Sequence, residues 1–94
     1  MFTRAKLIKA IKLSEALGIP FTRGGVLYTY KDEKVVARGV EGEELPKRIE
    51  ILEGTDEIGD GAFRDTNIVT VAIPSTVKRI GEPAFDEGVE IVMK

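Results

Sequence analysis

A six-position pattern occurs twice in this chain, 22 residues apart, and it constrains the fold more than any other feature. Ile49-Glu-Ile51 aligns with Val71-Ala-Ile73, Ile58-Gly59 with Ile80-Gly81, and Ala62-Phe63 with Ala84-Phe85. Self-similarity at a period of 20 to 29 residues is the mark of stacked units of the leucine-rich-repeat kind. Each position has a physical reading. Ile49 and Ile51, like Val71 and Ile73, alternate with period 2 and form a short strand with one face inward. Ala62 and Ala84 are small where neighbouring coils come close. Phe63 and Phe85 fill the core, and Gly59 and Gly81 are expected to permit a tight turn or a positive φ.

The segment before the repeats has a different period. Thr3 is a suitable N-cap, residues 4–17 carry helical spacing, Gly18 fits the left-handed position after a helix, and Pro20 blocks continuation. Leu7, Ala10, Ile11, Ser14 and Leu17 share one expected face, with Leu13 at its edge. Lys9, Lys12 and Ala16 lie opposite. After Pro20 the alternation has period 2. Val26, Tyr28 and Tyr30 interleave with polar residues, Lys31-Asp32-Glu33-Lys34 reads as a turn, and a valine-rich strand returns over residues 34–38. Residues 39–46 are glycine- and glutamate-rich and read as a solvated loop.

The stretch from Glu53 to Phe85 closely resembles the BspA-like leucine-rich repeat, whose units read IP-x-x-V-x-x-IG-x-x-AF. Residues 73–85, Ile-Pro-Ser-Thr-Val-Lys-Arg-Ile-Gly-Glu-Pro-Ala-Phe, follow that pattern almost throughout. The earlier unit departs from it with Leu52 in place of proline and Thr55 in place of valine, and Pro83 is an unusual residue between the glycine and Ala-Phe. The hairpin segment resembles the strand pair that often precedes such repeats. The resemblance implies a binding or scaffolding role and brings no catalytic residues with it.

The expected fold is therefore α+β, in one domain spanning residues 1–94. An N-terminal amphipathic helix (1–19) and a β-hairpin with its loop (24–48) cap a short BspA-like leucine-rich-repeat solenoid of two 22-residue units (49–94). Units of this kind bury their faces against neighbours, and about three are usually needed. The alternating Val89, Ile91 and Met93 follow the second unit with no polar cap after them, so they are the expected interface.

Composition narrows the function. The chain has 94 residues, no histidine and no cysteine. The commonest general base and metal ligand, the thiol nucleophile and zinc–thiolate sites are all absent. No phosphate loop is present: Gly24-Gly25 and Gly59-Asp60-Gly61 lack its spacing. The acids at Asp56, Glu57, Asp60 and Asp65 match no calcium loop. No enzyme activity, metal, cofactor or small-molecule substrate is expected.

A net charge of −2 argues against a general nucleic-acid binder. Residues 1–19 nevertheless carry +3, from Arg4, Lys6, Lys9 and Lys12 against Glu15. Lys6, Lys9 and Lys12 are thus a candidate basic contact face for nucleic acid or a membrane surface. Asn67 is the only asparagine and glutamine is absent, a bias shared with thermophile proteins.

The function expected is non-catalytic protein–protein interaction or a structural role. The partner is a protein, self or heterologous, and a homo-oligomer is one form of it. The alternatives are a regulator that binds one intracellular protein, or a basic-helix tether. A cytoplasmic location, or a virus particle, is expected from the missing signal segment and missing cysteines.

Overall fold

A computed structural model describes residues 3–41 and 47–94. The elements in chain order are helix α1 (Arg4–Ala16) and strands β1 (Phe21–Arg23), β2 (Val26–Lys31), β3 (Lys34–Val40), β4 (Arg48–Glu50), β5 (Glu57–Ile58), β6 (Thr70–Ile73), β7 (Arg79–Ile80) and β8 (Glu90–Met93). Residues 42–46 of the expected acidic loop lie outside the described residues.

The helix begins and ends where its sequence dictates. The Thr3 hydroxyl accepts a hydrogen bond from the Lys6 amide at 3.2 Å. At the other end Gly18 adopts φ +72°, its amide donates to Glu15 O at 3.1 Å, and Ile19 N donates to Ser14 O at 2.9 Å. This pair of bonds is the Schellman motif, which needs a residue free to take the left-handed conformation. The buried stripe is narrower than the apolar spacing predicts. Leu7 and Ile11 are fully buried, whereas Leu13 and Leu17 stay exposed.

Strands β1, β2 and β3 form an antiparallel meander. The turn between β2 and β3 holds Asp32 and Glu33 at φ 53° and 65°, and Lys31 pairs with Lys34 across it. Two successive positive φ values match the right-handed twist of the strands on either side. Tyr28 is 1 % exposed and meets Phe21 edge-on at 6.2 Å. Its hydroxyl accepts from Leu52 N at 3.0 Å, which ties the meander to the chain after β4. Burial pushes the phenol pKa up to about 12, although the bond from the Leu52 amide works the other way.

The 22-residue repeat is realised as in-register parallel pairing. Ile49 pairs with Val71 and Ile58 with Ile80, and Phe63 bridges to Phe85. The two phenylalanine rings stack at 5.5 Å, nearly coplanar at 4°. The α+β class holds, but the expected solenoid capped by a separate helix and hairpin does not form. Strand β3 pairs in parallel with β5, through Val36↔Glu57 and Ala37↔Ile58. The meander is therefore the first part of a five-stranded mixed sheet, β1-β2-β3-β5-β7, which shares its core with a three-stranded parallel sheet, β4-β6-β8.

Leu7 and Ile11 of the helix, Val26 and Val35 of the meander, and Ile49, Ile58, Phe63 and Ile73 of the repeats belong to one core. The Cα radius of gyration is 12.5 Å, and a compact chain of about 100 residues has roughly 13 Å. The physical reason is size. Two units cannot bury both of their faces by stacking alone, so they share a core with the helix and meander.

Asp56 locks the start of β5 to the rest. Its carboxylate accepts from Arg4 Nη2 at 2.8 Å and from Val35 N at 2.8 Å. Burial by itself would raise the Asp56 pKa. The Arg4 guanidinium, the Val35 amide and the Lys34 charge outweigh it and hold the carboxyl below its usual range.

The two repeat glycines also differ from expectation. Neither Gly59 nor Gly81 is among the residues with positive φ. A Cβ on Gly81 would run into the backbone and side chain of Asp60, whereas one on Gly59 would meet Ala37 O at an ordinary 3.5 Å. Close approach of neighbouring chain segments is the reason for Gly81, and a turn conformation is not.

Candidate interaction surface

Both sheets end on the same unit. β7 is the last strand of the mixed sheet and β8 the last strand of the parallel sheet, and among the described residues no strand lies beyond either. β7 and β8 therefore each have a strand neighbour on one side only, and their apolar side chains are left partly in water. Ile80 is 38 % exposed, Ile91 47 % and Met93 60 %, whereas Ile58, Val71 and Ile73, their register partners, are fully buried. Phe85 and Val89 are half-buried and pack against the core from this end. Between the two edges lies an open cleft of about 610 Å³, lined by Ile80, Pro83, Phe85, Val89 and Ile91 among others.

The predicted interface residues Val89, Ile91 and Met93 are thus brought together at one end. Ile80 and Phe85 join them, although Phe85 is expected from its place in the repeat to fill the core. The signal that points to Ile80 is its strand: Ile58 in β5 has β3 and β7 as neighbours, and Ile80 in β7 has β5 alone among the described strands.

Hydrogen bonding orients the β8 edge. Glu90 N donates to Val69 O and Lys94 N to Ile73 O, each at 2.9 Å. Backbone groups alternate in direction along a strand, so the amides and carbonyls of Ile91 and Met93 turn away from β6, toward the open edge.

The loops beneath are held firmly. The Asp86 carboxylate accepts from Asp65 N at 2.9 Å and Thr66 N at 3.2 Å, and Asp60 Oδ1 accepts from Glu82 N at 3.1 Å. The Asp86 carboxylate at the cleft therefore has structural partners. Among the described residues no group of three or more acidic side chains is placed to hold a metal ion.

The predicted basic face is a second, separate surface. Lys6, Lys9 and Lys12 are exposed on α1. Lys12 Nζ sits 5.3 Å from the centre of the Tyr30 ring, a cation–π geometry that occupies one of the three charges. The exposed Leu13, Leu17 and Ile19 lie toward the end of the same helix. Helix α1 packs on β1 and β2, at the edge of the mixed sheet opposite β7. The structure does not bring the basic face and the apolar end together.

No protein family, curated protein or solved structure matches this chain. Its site is read from its own geometry. Among the described residues no helix is long and apolar enough to cross a membrane.

Proposed function

We propose that this chain is a non-catalytic protein-binding module that takes up another polypeptide at the end formed by β7, Phe85, Val89 and β8. One observation carries the reading: two open strand edges and the exposed Ile80, Ile91 and Met93 converge on a single end of the molecule. An open edge recognises a further strand through backbone hydrogen bonds, and adjacent apolar side chains add burial. Such a surface suits a polypeptide and offers little to a small polar substrate.

The resemblance of residues 53–85 to BspA-like repeats, with the binding role it implies, supports the same reading. So does a sequence without histidine or cysteine, which lacks the usual side chains of nucleophilic and acid–base catalysis. A cysteine-free composition also suits a cytoplasmic setting, or a virus particle assembled in one.

The exposed face of α1 favours one other reading, a tether to an anionic surface, because Lys6 and Lys9 stand beside Leu13 and Leu17. Replacing Ile91 with the photo-reactive residue benzoylphenylalanine, in the full chain expressed in its own host, separates the two. Irradiation is expected to give polypeptide adducts from Ile91 and few from the same replacement at Lys9. Adducts from Lys9 alone, or none from Ile91, overturn the proposal.

A further inference from the structure

The polypeptide that fits the β8 edge best is β8 itself. We infer that two copies of the chain pair through this strand, antiparallel, about a twofold axis passing through Val92. The inference rests on the reading of the apolar end as a protein-binding surface and names its partner.

The argument is one of register. Only Ile91 and Met93 turn their backbone groups to the open edge, because Glu90 and Lys94 donate their amides inward to β6. In an antiparallel pair, residues that exchange hydrogen bonds stand directly opposite each other, and both must face the edge. For two identical β8 strands this leaves three arrangements: Ile91 opposite itself, Met93 opposite itself, or Ile91 opposite Met93. The first sets Glu90 against Val92. The second sets Lys94 against Val92. The third sets Glu90 against Lys94 of the copy, and by symmetry does so twice. Opposite charges facing each other across a strand pair are favourable, and a charge facing valine gains nothing comparable.

The third arrangement satisfies the other side chains as well. Ile91 and Met93 continue the inward-facing rows of Val71 and Ile73, both fully buried. Each exposed Ile91 meets a Met93 of the copy, so the row is extended across the axis and the apolar surface is covered. Among the described residues Lys94 pairs with Glu50, at 3.7 Å and with both side chains half-exposed or more. When Lys94 turns to the copy, Glu50 keeps Arg48 at 3.6 Å. The parallel sheet becomes six-stranded, β4-β6-β8 joined to its twin, and neither β8 remains an edge. The contact is closed by its own symmetry, because the same patch is used on both copies.

Val92 supplies the test, because the chain has no cysteine. In the inferred register Val92 faces its twin in a non-hydrogen-bonded pair, where Cα atoms stand about 4.5 Å apart, within the range a disulfide spans. Val92→Cys is expected to give a disulfide-linked dimer on mild oxidation. Thr22→Cys, exposed on β1 at the far edge, is expected to remain mainly monomeric.

Light scattering on a sizing column from about 1 to 200 µM, which brackets micromolar to sub-millimolar dissociation constants, gives the second readout. The unmodified chain is expected to dimerise with rising concentration. Glu90→Lys or Lys94→Glu alone should weaken the dimer roughly tenfold by replacing two attractive pairs with two repulsive ones. The double exchange should restore it.

A monomer throughout, or a dimer insensitive to Glu90→Lys that leaves Val92→Cys unlinked, overturns the inference. If that chain still forms adducts from the Ile91 position with another protein, the binding-module reading stands and only the identity of the partner falls. If it forms none, both fall.

Discussion

Ile58 and Ile80 hold the same place in the two repeat units and pair with each other in parallel, yet one is fully buried and the other 38 % exposed. The same inequality recurs down the units. Phe63 is fully buried and Phe85 half-buried, although their rings are stacked. Val71 is fully buried, whereas Ile91, one strand further on, is 47 % exposed. The residues are nearly the same; what differs is the neighbour on the outer side. Strand β5 lies between β3 and β7, and β6 between β4 and β8, whereas β7 and β8 each have a neighbour on one side only. A repeated motif therefore fixes how units pair, while burial and energetic weight depend on position in the stack.

Truncating the two phenylalanines tests that inequality most strongly. Phe63→Ala is expected to cost about 3–5 kcal/mol, the usual loss for a fully buried aromatic. Phe85→Ala should cost about 1–2 kcal/mol, because much of its surface is already wet. Urea denaturation of both variants, at a concentration where the chain is monomeric, measures the difference. Equal costs would break the comparison.

The repeat glycines should give opposite signs. A methyl at Gly81 meets the backbone of Asp60, so Gly81→Ala is expected to destabilise by about 1–3 kcal/mol. Gly59 has room and an ordinary φ, so Gly59→Ala is expected to stabilise by about 0.4–1 kcal/mol through the unfolded chain. Thermal unfolding of the pair distinguishes close packing from a shared turn requirement, under which both variants would lose stability.

Thr55 and Val77 are also 22 residues apart. Thr55 is fully buried and, among the described residues, its hydroxyl has no hydrogen-bond partner. Thr55→Val keeps the shape and removes an unsatisfied polar group, and is expected to gain about 1–2 kcal/mol. Val77 is half-buried, and Val77→Thr should cost under about 1 kcal/mol, since water reaches a new hydroxyl there. Chemical denaturation midpoints check both.

The smallest effect is one of pH. Asp56 in the first unit corresponds to the exposed Lys78 in the second. The folded pKa of Asp56 lies below its ordinary 3.8, so its ionised form is favoured by folding. That contribution is fully present above the unfolded value and is lost as pH falls through the folded one. Asp56→Asn should therefore be less stable than the parent at pH 6, with the gap closing below about pH 4. A gap that persists at pH 2 would assign the loss to geometry and not to charge.

These contrasts also mark what a sequence discloses. Thr3, Gly18 and Pro20 specify the helix ends because capping is local chemistry. The turn at residues 31–34 is legible for the same reason. The 22-residue register is legible because it is written in side-chain identity. The parallel pairing of β3 with β5 is not, since nothing in the valines of residues 34–38 names a partner. That pairing merges meander and repeats into one sheet and removes the expected solenoid. Strand β1 has three residues and no alternation, and it exists because β2 offers an edge. Spacing shows which side of α1 is apolar but not how wide a stripe the sheet covers, so Leu17 on the expected face and Leu13 at its edge are both exposed. At the site, Val89, Ile91 and Met93 are legible from alternation alone. Ile80 and Phe85 become part of it only through the absence of an outer neighbour, which is a property of the stack.

The order of strands has a consequence for synthesis. In each sheet the spatial order is the chain order: β1, β2, β3, β5, β7 in one and β4, β6, β8 in the other. Apart from β1 and β4, which begin the two sheets, every strand meets a partner already made. A nascent chain leaving the ribosome at about 5–20 residues per second can dock each new strand onto a template already laid down. Among the described strands β8 is the last in the chain, so the pairing proposed for its edge would begin only after the strands before it are in place.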